Sequence, residues 1–221
     1  MAVSIELYWD FLRREVWNVG EDKSRAVLQQ YKEEHANQPH HNLSHVLQML
    51  QFVAITGLKH ASTYHANLER VLFHDFVYVP GSNSNEEFSF EAWCRYRQML
   101  DLDPPSELDW QAISLTKKHI LKQDDVSEYG ILIDADLSIL ASNPQDYDRY
   151  AQAIREEYLP ISGSVEEYLD GRISFLRNMI ARKKLFYVSS LKMKKRAKLN
   201  MKRELESLRD EKLMFQVPLE A

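Results

Sequence analysis

The chain has 221 residues, 44% of them hydrophobic and 28% charged, with six Gly and seven Pro; collagen-like, linker-like and wholly disordered classes are excluded. A single cysteine, Cys94, excludes a disulfide scaffold and any multi-cysteine zinc or iron–sulfur site, and it fits a reducing compartment. The formal net charge is −5, yet residues 182–212 hold twelve Lys/Arg against four Asp/Glu, which leaves the remainder strongly acidic.

Helical periodicity dominates in chain order. Leu7, Phe11, Leu12 and Val16 share one face of a first helix, and Val27, Leu28 and Tyr31 mark a second. Leu43, Val46, Leu47, Leu50 and Val53 predict a third, ending near Gly57. A fourth runs from about Ser62 through Leu68, Val71, Leu72 and Phe76. The segment Val79-Pro80-Gly81-Ser82-Asn83-Ser84-Asn85 is a loop by composition, and a helix with Trp93, Tyr96 and Leu100 follows. Pro104-Pro105-Ser106 opens the next, with Leu108, Ile113 and Leu115 on its apolar face. After the apolar stretch Ile131 to Leu140, Asn143-Pro144 starts a helix ended by Pro160, and Gly163-Ser164 starts another. No alternating strand pattern persists. The expected fold is all-α, with roughly eight to ten helices around one core.

The basic segment reads as a solvated amphipathic helix, because Leu199, Leu205, Leu208 and Leu213 keep near-helical spacing. No aromatic residue lies between Met193 and Met214, so stacking on bases is not expected and nucleic acid is an unfavoured partner. No run reaches the roughly eighteen apolar residues of a membrane span. The mean hydropathy is −0.46. Met1 to Trp17 mixes Glu6, Asp10, Arg13, Arg14 and Glu15 with its apolar residues, unlike a signal peptide. The expectation is a cytoplasmic protein without a membrane partner. Tyr8, Trp9 and Trp17, if exposed, would support a homodimer.

Three placements ask for a metal ion. His41 and His45 stand four residues apart near the start of the third helix. His74-Asp75 lies inside the apolar run Val71 to Val77, and Asp134 and Asp136 lie among Ile131, Leu132, Ile133 and Leu137. Each polar group in such a run costs several kcal/mol unless satisfied, and one divalent cation satisfies all three. Taken singly, each has an ordinary structural role: a hydrogen-bonded core histidine, a buried His–Asp pair, or carboxylates that cap or face solvent.

The order His45, His74-Asp75, Asp136 resembles the HD superfamily of metal-dependent phosphohydrolases. More narrowly, the chain is similar to a bacterial group of predicted metal-dependent HD-superfamily hydrolases. Five segments carry the likeness: His40 to Val46, Phe73 to Tyr78, Asn85 to Ser89, Asp134 to Leu140, and Ile154 to Tyr158. It covers about Tyr31 to Tyr158 well and the C-terminal third loosely. The resemblance implies one HD-type domain over 1–221, with the metal-site core at about 31–158 and a basic helical region at about 182–213. It implies that His45, His74, Asp75 and Asp136 ligate one divalent ion, with Mn, Mg, Fe, Co, Ni and Zn not distinguished, and that a second ion can join it.

His41-Asn42-x-x-His45 is also similar to the start of the cyclic-nucleotide phosphodiesterase signature, which makes His41 the candidate general acid. His119 is a candidate second-metal or phosphate ligand, together with Lys117 and Asp134; His119 reads equally as an exposed helix histidine. Glu86 is a candidate base that reads also as a solvated loop residue, and Arg155 as a phosphate contact or a surface ion pair. His40 stands where the group has Tyr, and His35-Ala36 where it has His-Arg, so one phosphate-binding cation is missing. The implied activity is hydrolysis of a phosphate ester, of a nucleotide or small phosphorylated metabolite, by metal-activated water. Two other readings stay open: a metal-stabilised module that binds a nucleotide or a partner without turnover, and a di-iron oxygenase-type protein.

Overall fold

A computed structural model describes residues 4–56 and 62–216. Among them are ten α-helices and no strand, so the fold is all-α as expected. The expected helix end near Gly57 lies outside the described residues. The chain divides into two compact units, residues 1–136 and 137–221, where the sequence suggests one core.

In the first unit, α1 (Ile5–Leu12) runs into a π-helical turn (Arg13–Trp17), followed by α2 (Glu21–Glu34), α3 (Leu43–Ile55), α4 (Tyr64–Phe73), α5 (Asn85–Met99), α6 (Glu107–Thr116) and α7 (Val126–Asp136). Helices α3, α4 and α7 pack pairwise. An aromatic cluster forms the centre. Phe73 stacks on Trp93 with ring centroids 5.3 Å apart, and Tyr31 touches Phe73, Phe76 and Tyr96. The buried Tyr31 hydroxyl donates to the Leu72 carbonyl at 2.6 Å, tying α2 to the end of α4. Between α4 and α5, Val79-Pro80-Gly81-Ser82 closes a turn with Ser82 N–H donating to Val79 O at 3.0 Å. Gly81 sits at φ 81°, the left-handed position that follows a proline in such turns.

Two expectations are corrected here. Trp9 and Trp17 are buried, with ring centroids 5.0 Å apart, so they form no outer face for a second copy. Trp9 is held inside because its indole N–H donates to Ser24 Oγ at 3.0 Å. Leu7 and Leu108 are exposed, because α1 buries Ile5, Trp9 and Leu12, and α6 buries Ala112, Ile113 and Thr116.

His35 carries the pH dependence of this packing. It is buried against Tyr31 and Phe76, its Nδ1 lies 3.0 Å from the Ala36 carbonyl, and its Nε2 has no hydrogen-bond partner. Burial lowers its pKa to about 4, although the bond to Ala36 O works the other way. The folded value lies below the unfolded value of about 6.5, so this stability is complete above pH 6.5 and lost as pH falls toward 4. The loss amounts to about 3 kcal/mol. Urea unfolding of the natural chain and of His35→Leu at neutral pH and near pH 4 should show a smaller acid loss in the variant.

In the second unit, a 3-10 turn (Leu137–Ala141) leads to α8 (Pro144–Tyr158), a 3-10 turn (Leu159–Ile161), α9 (Val165–Ala181) and α10 (Leu191–Gln216). Asn143 and Ser164 cap α8 and α9 by accepting from Asp146 and Glu167 N–H. Helix α10 buries Ala197, Asn200, Met201, Leu205 and Leu208, and Asn200 Nδ2 donates to the Leu140 and Ser142 carbonyls at 3.0 Å each. Leu199 and Leu213, expected on the inner face, are exposed. A buried pair joins α9 to α10: Arg172 Nε donates to Glu204 Oε1 at 2.8 Å, and the Tyr147 hydroxyl donates to Glu204 Oε2 at 2.6 Å.

Candidate metal centre

The first unit brings His45, His74, Asp75 and Asp136 together. One ligand atom from each lies within 4.8 Å of all the others. His45 comes from the first turn of α3, His74 and Asp75 from the residues after α4, and Asp136 from the last residue of α7. Because α4 ends at Phe73, the His-Asp doublet falls beyond it, and both neighbouring side chains reach one point. His74 is fully buried, while Asp75 and Asp136 keep 13% and 14% of their side chains exposed, enough for a small ligand to reach the carboxylates.

Local hydrogen bonds hold the start of α3, which carries His45. Asn42 caps α3 by accepting from Ser44 N–H at 2.8 Å and His45 N–H at 3.3 Å. Its amide donates to the Gln38 and Pro39 carbonyls at 2.8 and 3.0 Å, which closes the turn that carries His41. Asn42→Ala should therefore lower stability by about 1–2 kcal/mol, read by urea unfolding, and weaken divalent metal uptake several-fold, read by titration.

The donor set fits a cation. His74 Nδ1 lies 2.9 Å from the Val71 carbonyl, so the Nδ1–H donates there and Nε2 is the ring nitrogen turned toward the carboxylates, where a metal would displace any proton it carries. His74 Nε2 and both ring nitrogens of His45 are buried without a hydrogen-bond partner. They approach carboxylates, His45 Nε2 at 3.3 Å from Asp136 Oδ1 and His74 Nε2 at 3.2 Å from Asp75 Oδ2, without hydrogen-bond alignment. Two imidazoles and two carboxylates suit a hard or borderline divalent ion.

The electrostatics show how crowded the charges are. Burial lowers the pKa of His45, against the pull of Asp136. Burial also opposes a charge on His74, but Asp75 and then Asp136 hold that ring's pKa up at about 9. Burial would raise Asp136, yet the neighbouring His119 and the other histidines hold it well below the usual carboxylate range. Burial would raise Asp75 as well, but His74 and then His41 together lower it.

The other candidates divide. His41 Nε2 lies 3.9 Å from Asp75 Oδ2, and its ring stacks on Tyr78 with centroids 3.5 Å apart, so it borders the group. His40 packs its ring against His41 and His45, with centroids at 4.7 and 4.6 Å. His119 also reaches the group, its Nε2 standing 2.7 Å from Asp136 Oδ2. Lys117 instead pairs with Glu86, Nζ to Oε2 at 3.2 Å, and donates to the Asn83 carbonyl.

Asp134 is fully buried and does not join the four-residue group. Residues two apart on a helix point about 200° apart, which explains why Asp136 alone faces the histidines. Arg155, in the second unit, makes a two-pronged pair with Glu211 at 2.6 and 2.8 Å, the surface ion pair rather than a phosphate contact. The sequence reading missed Tyr78 as the ring under His41; its position in Phe73-His74-Asp75-Phe76-Val77-Tyr78 was the available signal.

No protein-family model, no curated protein and no solved structure matches the chain.

Proposed function

We propose that the chain is a metal-dependent phosphohydrolase of the HD type, acting on a phosphate ester of a nucleotide or small phosphorylated metabolite. The observation that carries the reading is the convergence of His45, His74, Asp75 and Asp136, with buried ring nitrogens left without hydrogen bonds. A divalent ion held by these four groups would supply an activated water and polarise the phosphoryl oxygens.

The remaining roles belong to the chain's own residues. His41 borders Asp75 and its ring stacks on Tyr78, the position a general acid for a departing alkoxide needs. His119 orients Asp136 through its Nε2 contact, in the way outer-shell partners orient metal ligands. Glu86, paired with Lys117, is a base only if that pair opens; the pair itself offers a cation to a phosphate oxygen.

The test is elemental analysis of the purified chain, followed by phosphate release from a panel of phosphorylated metabolites with Mn, Mg, Fe, Co, Ni and Zn. Metal-dependent turnover is the expected result. Metal bound without turnover on any ester replaces this reading with a non-catalytic binding module. Two irons with a visible absorption band and oxygen consumption replace it with an oxygenase.

A further inference from the structure

The second unit carries a surface that the proposed hydrolysis does not use. Residues 182–203 contain ten Lys/Arg and no Asp/Glu. Within α10 the positions 191, 195, 199 and 202 recur at helical spacing and fall on the side opposite Ala197, Met201 and Leu208. That outer stripe alternates apolar and basic side chains: Leu191 is 76% exposed, Leu199 is 67% exposed, and Lys192, Lys195 and Lys202 are exposed around them.

The neighbouring cations point their charge elsewhere without cancelling it. Lys194 donates to the Lys183 carbonyl, and Lys198 to the Ile180 carbonyl at 2.5 Å and the Arg182 carbonyl at 3.2 Å. Arg196 Nη1 lies 3.4 Å from the Ala141 carbonyl. These are backbone acceptors that carry no formal charge. Burial and then repulsion by Lys194 and Lys202 lower the pKa of Lys198, consistent with a positive field here. Among the described residues, the only carboxylate ion pairs on α10 begin at Arg203, with Asp148, and continue toward its C-terminus.

We propose that the N-terminal half of α10 binds an anionic lipid surface, with Leu191 and Leu199 entering the headgroup boundary and Lys192, Lys195 and Lys202 meeting lipid phosphates. No helix of the described residues is long and apolar enough to cross a membrane, but a helix lying on one needs only an apolar stripe flanked by lysines. This departs from the expectation of no membrane partner.

Three observations favour lipid over other polyanions. RNA would leave the two exposed leucines in water, and no aromatic side chain lies between Met193 and Met214 to stack on a base. A stripe of two leucines is small beside the roughly 800 Å² per partner of a stable protein interface. Lysine stems, by contrast, lie along an apolar boundary while their ammonium groups reach the phosphates.

The test is co-sedimentation of the full chain with vesicles of phosphatidylcholine alone and of phosphatidylcholine mixed with phosphatidylglycerol, at low and high salt. Binding to the mixed vesicles only, weakened by salt, is expected. The triple variant Lys192→Gln, Lys195→Gln, Lys202→Gln should lower the partition coefficient on the order of a hundred-fold. Leu199→Gln should lower it by about ten-fold, including at low salt. All four positions are exposed, and melting curves establish that the variants are folded.

The proposal is overturned by equal sedimentation with and without phosphatidylglycerol, by no sedimentation at all, or by a Leu199→Gln variant that binds as the natural chain does. It is overturned too if a single-stranded RNA oligonucleotide competes the chain off the vesicles and is itself bound more tightly than lipid. Phosphate release is measured in the same preparations, so loss of vesicle binding and loss of hydrolysis are read separately.

Discussion

Asp75→Asn and His74→Ala are each expected to abolish metal-dependent phosphate release and to lower divalent metal affinity by on the order of a hundred-fold or more. Asp75→Asn keeps the side chain's shape and removes one of two carboxylate charges that face His45 and His74. His74→Ala removes the ring whose Nδ1 is tied to the Val71 carbonyl, and with it a candidate donor already oriented by that contact. Metal content by elemental analysis, phosphate release and melting in chelator make up the experiment. A folded variant with unchanged turnover would sink the assignment; loss of turnover together with loss of folding would not support it, so Asp75→Asn is the deciding variant.

The second large effect concerns stability alone. Glu204→Ala should destabilise the chain by about 3–5 kcal/mol, the usual result of leaving one member of a buried ion pair without its partner. Only 6% of the Arg172 side chain and 9% of the Glu204 side chain are exposed. Glu204 also accepts from the Tyr147 hydroxyl, and the Arg172 guanidinium lies over Tyr150 and Phe175 at 5.4 and 5.0 Å. The double variant Arg172→Met, Glu204→Leu should recover most of the loss, because apolar residues of similar volume replace both charges at once. Urea unfolding at pH 7 of the three chains checks this, and a Glu204→Ala chain as stable as the natural one would contradict it.

The residues of the candidate metal centre were legible because they break a pattern. His74 and Asp75 interrupt an apolar run, and Asp136 does the same in α7, so the cost of burying them pointed to a shared partner. The helix starts were legible for a similar local reason: Ser106 and Ser164 precede helices whose first free N–H groups they accept. Helix phase was harder to read. In Ile5–Leu12 apolar side chains occur on several faces, so the sequence does not say that Trp9 turns inward and Leu7 outward. Leu199 deceived for the same reason, since Ala197 and Met201 set the inner face of α10. Pairs such as Lys117–Glu86 and Arg172–Glu204 join residues far apart in sequence, and no local signal announces which charges meet.

His119 shows how fold and chemistry pull against each other at one residue. Its backbone sits at φ 53°, where a side chain costs about 1–2 kcal/mol and glycine costs little. Glycine there would relax the loop while deleting the ring that contacts Asp136. His119→Gly should accordingly melt no lower than His119→Ala, and both should lose the same orienting contact. A backbone position that favours glycine thus carries the imidazole that reaches Asp136.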